Sequence, residues 1–120
     1  MRKVLYAEDE YTNRKLLEIK LRNAGIQCDL AEDGVTALDL YKNGDYGVVI
    51  LDQYMPGMNG YRVAREIRKT DKDTPLIAIT SDDGETHNLV DSGFNKIFIK
   101  PLRGEDYVGA IKAFLETDSG

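Results

Sequence analysis

The sequence has 120 residues and a formal net charge of −5, with 16 Lys or Arg against 21 Asp or Glu. Its 42% hydrophobic and 31% charged residues are typical of a globular domain and exclude a disordered, collagen-like or coiled-coil chain. No apolar run approaches the roughly 20 residues that cross a bilayer, and a negative charge without a Lys/Arg cluster disfavours nucleic-acid binding. We therefore expect one cytoplasmic domain, residues 1–120 with a loose tail from about 117, that contacts neither membrane nor nucleic acid.

Five short runs rich in Val, Ile and Leu alternate along the chain with longer amphipathic stretches. Runs of this kind without a polar face are typical of strands in a parallel sheet that is covered on both sides. The predicted strands are Lys3–Ala7, Gln27–Ala31, Val48–Leu51, Leu76–Thr80 and Lys96–Ile99.

Between the predicted strands, apolar residues repeat at the spacing of an amphipathic helix. The repeating residues are Leu17, Leu21 and Ala24; Ala37, Leu38 and Tyr41; Ala64 and Ile67; and Tyr107, Val108, Ile111, Phe114 and Leu115. A further helix is predicted around Glu85–Ser92, where the pattern is weakest. Gly25, Gly44 and Gly93 follow helical stretches and predict left-handed helix ends. Asp33 predicts an N-terminal cap on the second helix.

This alternation predicts an α/β fold, namely a doubly wound parallel sheet with right-handed crossovers and helices on both faces. In such a sheet, ligands bind beyond the carboxyl ends of the strands, where the strand order reverses. The residues at these ends are Glu8, Asp9, Asp52, Thr80, Ser81 and Lys100. We therefore expect three carboxylates, two hydroxyl groups and an ammonium group to converge at one rim of the sheet.

This set of side chains favours phosphoryl-transfer chemistry. Clustered carboxylates repel each other unless they share a positive charge, and a ligand set made only of oxygen atoms favours Mg²⁺. The Lys100 ammonium and the Thr80 hydroxyl would bind phosphate oxygens. Asp52 is the candidate nucleophile, because its strand is central, its carboxylate stands apart from Glu8 and Asp9, and carboxylates form aspartyl-phosphate intermediates.

Each of these residues also has a simpler interpretation when it is taken alone. Glu8 and Asp9 would be acids near the start of the first helix, and Asp52 would begin a turn. Thr80 and Lys100 would be ordinary polar strand ends. These interpretations explain the residues one at a time, whereas a shared site explains why they converge.

Together these motifs resemble the receiver domain of two-component response regulators, over essentially the whole chain. The resemblance rests on Glu8-Asp9, the segment from Asp52 to Gly60, Thr80-Ser81 and Lys100-Pro101, in that order. It implies a flavodoxin-like (βα)5 domain whose five-stranded parallel sheet has the order 2-1-3-4-5.

The resemblance also implies how the carboxylates act. Glu8, Asp9, Asp52 and the backbone carbonyl of Tyr54 would bind Mg²⁺. Asp52 would accept a phosphoryl group from a sensor histidine kinase or a phosphotransfer protein. The domain would catalyse its own phosphorylation and dephosphorylation, yet it would act as a signalling switch.

The remaining implied roles concern the response to phosphorylation. Thr80 and Lys100 would contact the phosphoryl group, and the Lys100-Pro101 peptide would be cis. The predicted helix around Glu85–Ser92, the strand Lys96–Ile99 and the C-terminal helix would form the output surface. A downstream protein, or an output domain on another segment or chain, would bind there.

The sequence departs from the family pattern near the site. The resemblance implies that Thr80, Ser81 and Ile97 are the switch residues. Ile97 stands where the family usually has a Tyr or Phe that rotates during switching, and Ser81 stands where many members have alanine. Tyr54 is bulky, and Asp82 adds negative charge. We expect Tyr54 and Asp82 to alter the lifetime of the phosphorylated form.

Two other functions remain as alternatives. The first is a receiver-like interaction module that binds partners without phosphorylation, which Ile97 motivates and the intact acidic set opposes. The second is a flavodoxin-like cofactor binder. It is disfavoured because a hydroxyl-rich loop after the first strand and the GxGxxG and GxxxxGK[ST] patterns are absent.

Overall fold

The computed structural model describes residues 2–81, 84, 90–100, 102 and 106–117. In chain order the elements are β1 (Lys3–Ala7), α1 (Tyr11–Asn23), β2 (Cys28–Ala31), α2 (Gly34–Asn43), β3 (Tyr46–Asp52), α3 (Gly60–Arg68), β4 (Leu76–Thr80), β5 (Lys96–Ile99) and α4 (Asp106–Thr117). The helix predicted around Glu85–Ser92 lies largely outside the described residues, as do Asp82, Pro101 and the end of the predicted tail. Within the described ranges, no helix is both long and apolar enough to cross a bilayer.

The five strands form one parallel sheet in the order β2-β1-β3-β4-β5, which confirms the predicted fold. The predicted strand ranges agree closely, although β3 begins at Tyr46 rather than at Val48. The chain first adds β2 on one side of β1 and then places β3, β4 and β5 on the other. The strand order therefore reverses between β1 and β3, whose carboxyl ends form the expected crevice.

Alternate residues of the strands point to opposite faces of the sheet and form two apolar cores. On one face, Leu5 and Val49 pack with residues of α2 and α3. On the other face, Val4 and Ile50 pack with residues of α1 and α4. Because helices cover both faces, the middle strands carry almost no polar side chains before their carboxyl ends.

Two side chains cap helices next to the crevice. Asp33 Oδ1 accepts a 2.7 Å hydrogen bond from the backbone N–H of Thr36, which confirms the predicted cap of α2. Asn59 Oδ1 accepts a 3.0 Å hydrogen bond from the N–H of Arg62 and caps α3 in the same way. These caps fix where α2 and α3 begin, and α3 begins shortly after Asp52.

The prediction for the helix-terminal glycines is correct at two positions and wrong at the third. Gly25 has φ +80° and Gly93 has φ +102°, both in the left-handed region. Gly44 instead has an extended backbone, with φ −127° and ψ −176°. A Cβ at Gly44 would lie 2.7 Å from a ring carbon of Tyr46, so close packing rather than a left-handed backbone favours glycine there.

Candidate functional site

The parallel sheet brings the predicted site residues to one edge. Glu8 follows β1, Asp52 ends β3 and Thr80 ends β4, and all three are buried. Lys100 follows β5, and its backbone N–H donates a 2.8 Å hydrogen bond to the carbonyl of Thr80. Residues far apart in the sequence therefore meet at the crevice beside β1 and β3.

Three carboxylates form a cluster at the centre of this edge. Oxygen atoms of Glu8, Asp9 and Asp52 all lie within 4.8 Å of one another. Glu8 has no exposed surface, Asp52 is 3% exposed, and Asp9 is exposed to solvent. Oxygen ligands at this separation, partly open to water on the Asp9 side, suit a hard divalent cation.

The Lys100 ammonium lies between the two buried carboxylates. Its Nζ is 3.0 Å from Glu8 Oε1 and 3.2 Å from Asp52 Oδ2. One positive charge therefore bridges two negative charges, and the buried cluster has an excess of acid. A phosphate oxygen placed in the crevice would lie within reach of the same ammonium.

The electrostatics of the cluster follow from burial and from this excess of negative charge. Burial, together with the adjacent Glu8 carboxylate, raises the pKa of Asp52 from 3.8 to about 7. Burial also disfavours the charged form of Glu8, but hydrogen bonds with Asp52 and Lys100 outweigh it and lower the pKa of Glu8. Ionising both neighbouring carboxyls is therefore unfavourable, and Asp52 keeps its proton to a higher pH than an ordinary aspartate does. A divalent cation would displace that proton.

The loop after Asp52 is held by its backbone and by one buried side chain. The N–H of Tyr54 lies 3.4 Å from Asp52 Oδ1, while the Tyr54 ring is 48% exposed. Buried Gln53 uses its Oε1 to accept a 2.8 Å hydrogen bond from the N–H of Tyr61 in α3. A Cβ at Gly60 would lie 2.7 Å from the Asp52 carbonyl oxygen, so α3 packs directly against the end of β3.

Arg14 is a site residue that the sequence interpretation missed. Its side chain is buried, and Nη1 donates to the carbonyls of Glu8 at 2.8 Å and of Asp9 at 3.4 Å. These bonds hold the backbone of the acidic pair against α1. A signal existed, because position 14 shares a helix face with the apolar residues Leu17 and Leu21.

Tyr6 was also missed. It is 1% exposed, and its hydroxyl oxygen lies 3.3 Å from Glu8 Oε1, to which it donates. Burial and the nearby Glu8 charge raise the pKa of Tyr6 well above its ordinary value, so the hydroxyl keeps its proton. The signal in the sequence was a tyrosine within an aliphatic strand.

The three residues predicted to respond to phosphorylation occupy different surroundings. Thr80 is fully buried. Ser81 is exposed, and with Lys100 it lines a cavity of about 490 Å³. Ile97 is half-buried against the core on the α2 and α3 face. Because Pro101 is outside the described residues, the cis peptide at Lys100-Pro101 remains a prediction.

Comparison with known proteins agrees with this geometry. The family model described as "Response regulator receiver domain" matches residues 4–112. The chain therefore belongs to the receiver domain family of two-component response regulators.

Three similar proteins illustrate the relationship. An uncharacterized transcriptional regulatory protein, YkoG of Bacillus subtilis, is 33% identical over 93% of this chain and 50% of its own length. The response regulator MprA of a Mycobacterium species is 32% identical over 98% of this chain and 52% of its own length. The chain thus spans about half the length of these curated relatives.

A solved structure with a similar fold is the response regulator TrrA of Thermotoga maritima in complex with Mg²⁺-BeF. It is 33% identical to this chain, covers 95% of it and 99% of TrrA, and superposes with a TM-score of 0.88. That protein was solved with magnesium and a fluoride complex of beryllium.

Proposed function

We propose that this receiver domain is a magnesium-dependent phosphoacceptor switch in which Asp52 accepts the phosphoryl group. The observation that carries the proposal is the placement of Asp52. Its buried carboxylate lies within ligand distance of Glu8 and Asp9 and within 3.2 Å of the Lys100 ammonium. A nucleophile, a set of cation ligands and a fixed positive charge thus share one crevice.

The donor is the phosphohistidine of a sensor histidine kinase or phosphotransfer protein. An ionised Asp52 oxygen forms the new O–P bond as the P–N bond of phosphohistidine breaks, and the histidine nitrogen keeps the electron pair and is reprotonated. Glu8, Asp9, Asp52 and the Tyr54 carbonyl would hold Mg²⁺, which when bound supplies positive charge to the carboxylates and phosphoryl oxygens. Hydrolysis of the acyl phosphate by water restores Asp52.

Two side chains of the proposed site then respond to the new charge. Lys100 exchanges a carboxylate oxygen for a phosphoryl oxygen, and the Thr80 hydroxyl donates to another. Since Thr80 ends β4 and Lys100 follows β5, their movement would be transmitted to the loops after both strands. Ser81 follows Thr80 directly, Ile97 lies in β5 opposite Ala78, and both would move with them.

The switch would act through protein partners. We propose that the surface around β5 and α4 binds a downstream protein or an output domain on another segment or chain. The domain catalyses its own phosphorylation and dephosphorylation, and its place of action would be the cytoplasm.

Beryllofluoride, which mimics an acyl phosphate, tests the proposal directly. With Mg²⁺ it should shift amide NMR signals near Asp52, Thr80 and Lys100 in the wild type and in the Asp39→Asn control, whose altered carboxylate is exposed on α2. The Asp52→Asn variant should give no such response. A wild type that is folded but unresponsive would favour the phosphorylation-independent interaction module that Ile97 motivates.

Tyr54 provides a prediction about the lifetime of the phosphorylated form. Its side chain is 48% exposed, and its backbone N–H lies 3.4 Å from Asp52 Oδ1, next to the reactive carboxylate. Tyr54→Asn should accelerate dephosphorylation by about threefold or more, since a smaller polar side chain admits and orients water. Release of phosphate from the phosphorylated protein measures the rate, with exposed Val35→Ala as the control. A rate equal to that of the wild type would contradict the prediction.

A further inference from the structure

Tyr6 places a hydroxyl group inside the acidic site. The other side chains of β1 from Val4 to Ala7 are aliphatic, and Tyr6 packs with the core on the α1 and α4 face. Among the residues that the structure describes, its hydroxyl donates to Glu8 Oε1 at 3.3 Å. Glu8 is itself a proposed cation ligand.

Glu8 depends on protein donors because it has no exposed surface. The Lys100 ammonium lies 3.0 Å from Oε1, and Tyr6 donates to the same oxygen. Oε2 is 3.4 Å from the backbone N–H of Glu10, a long contact. Lys100 and Tyr6 are therefore the side-chain donors to Oε1, and Glu8 also shares a hydrogen bond with the Asp52 carboxyl.

After phosphorylation, Glu8 and the phosphoryl group would compete for the Lys100 ammonium. In the proposed function its ammonium moves toward a phosphoryl oxygen, and Oε1 of Glu8 then loses its charged donor. A buried carboxylate oxygen left without a donor is costly, and that cost would oppose the exchange. The Tyr6 hydroxyl is already within hydrogen-bond distance of the oxygen that Lys100 would leave.

We infer that Tyr6 is a positioning residue that keeps Glu8 hydrogen-bonded while Lys100 exchanges its carboxylate partner for a phosphoryl oxygen. The inference rests on the proposed function. We expect the Tyr6 hydroxyl to stabilise Glu8 more in the phosphorylated state. In the unphosphorylated state Lys100 also donates to Glu8, so the Tyr6 hydrogen bond matters less there.

Tyr6→Phe tests the inference, since it removes the hydroxyl and keeps the ring. Tyr46→Phe is the matched control: Tyr46 is 4% exposed, and its hydroxyl donates at 2.7 Å to Asp29, at the opposite end of the sheet. NMR titrations of both variants would give the dissociation constants for Mg²⁺ alone and for beryllofluoride at saturating Mg²⁺. Urea unfolding would verify that each variant is folded under these conditions.

Tyr6→Phe should weaken beryllofluoride binding by about tenfold, because Glu8 then lacks a hydrogen bond that Lys100 no longer replaces. It should change the binding of Mg²⁺ alone less, because Lys100 still donates to Glu8 in that state. Tyr46→Phe should leave both constants within about twofold of the wild type. Tyr6→Met, a second variant without the hydroxyl, should behave as Tyr6→Phe does.

Two results would overturn the inference. In the first, Tyr6→Phe binds beryllofluoride as tightly as the wild type does. In the second, Tyr6→Phe and Tyr46→Phe weaken binding equally, as general destabilisation would. A wild type that binds Mg²⁺ and beryllofluoride while Tyr6→Phe is unaffected contradicts only the role of Tyr6. A folded wild type that binds neither contradicts the proposed function, and the inference falls with it.

Discussion

Replacing Asp52 by Asn is expected to raise the free energy of unfolding of the metal-free protein by up to about 4 kcal/mol near pH 8. The pKa of Asp52 is raised from 3.8 to about 7, because the carboxyl is buried beside Glu8. A carboxyl whose pKa is higher in the folded state stabilises the fold while it is protonated. That contribution is complete below about pH 4 and is lost as the pH rises through 7, whereas an amide does not ionise.

Urea unfolding in the presence of EDTA between about pH 4 and pH 8 would measure this effect. The advantage of Asp52→Asn over the wild type should increase across that interval, and Asp39→Asn, which alters an exposed carboxylate, should show no such increase. Adding Mg²⁺ at pH 8 should stabilise the wild type more than Asp52→Asn. A variant that is no more stable than the wild type at pH 8 would show that Asp52 carries no electrostatic penalty.

Gly34→Ala is expected to lower the free energy of unfolding by about 3 kcal/mol, because no space exists for a side chain at this buried position. A Cβ at Gly34 would overlap the carbonyl oxygen of Met58 and lie 2.7 Å from its carbonyl carbon. Since Met58 belongs to the loop that follows Asp52, the same substitution should also weaken Mg²⁺ binding.

Gly109→Ala is the matched control for this prediction. Gly109 lies in α4, is exposed, and would have no atom within 4 Å of an added Cβ. Alanine there should stabilise the protein by about 0.5–1 kcal/mol, since glycine is a poor helix former. Urea or thermal unfolding would compare the two variants, and similar stabilities for Gly34→Ala and Gly109→Ala would contradict the close packing of α2 on the Met58 loop.

The sequence was sufficient to predict the architecture because hydrophobic periodicity reports burial directly. Strands without a polar face predicted a sheet covered on both sides, and the strand-end rule alone predicted that Glu8, Asp52 and Lys100 meet at one edge. The same rule does not distinguish buried Glu8 from exposed Asp9, because that difference depends on how the loop after β1 is held.

The parts that sequence reasoning missed depend on contacts between elements. Arg14 reaches two carbonyls across the β1–α1 loop, Gln53 reaches α3, and Tyr6 reaches Glu8, and none of these contacts belongs to a local pattern. The backbone conformation predicted for Gly44 was wrong. The ring of Tyr46, in the next strand, leaves no room for a Cβ at position 44, and that contact is what favours glycine there. Side-chain packing of this kind leaves only a weak signal in a single sequence.

The most direct test of the central claim is to phosphorylate the domain and locate the modified residue. The wild type would be incubated with a phosphorylated histidine kinase or a small phosphodonor, with Mg²⁺ or with EDTA, and analysed by peptide mass spectrometry. We predict one phosphoryl group, formed only with Mg²⁺, on the peptide that contains Asp52, and none in Asp52→Asn. Labelling at another residue, or equal labelling without Mg²⁺, would contradict the account.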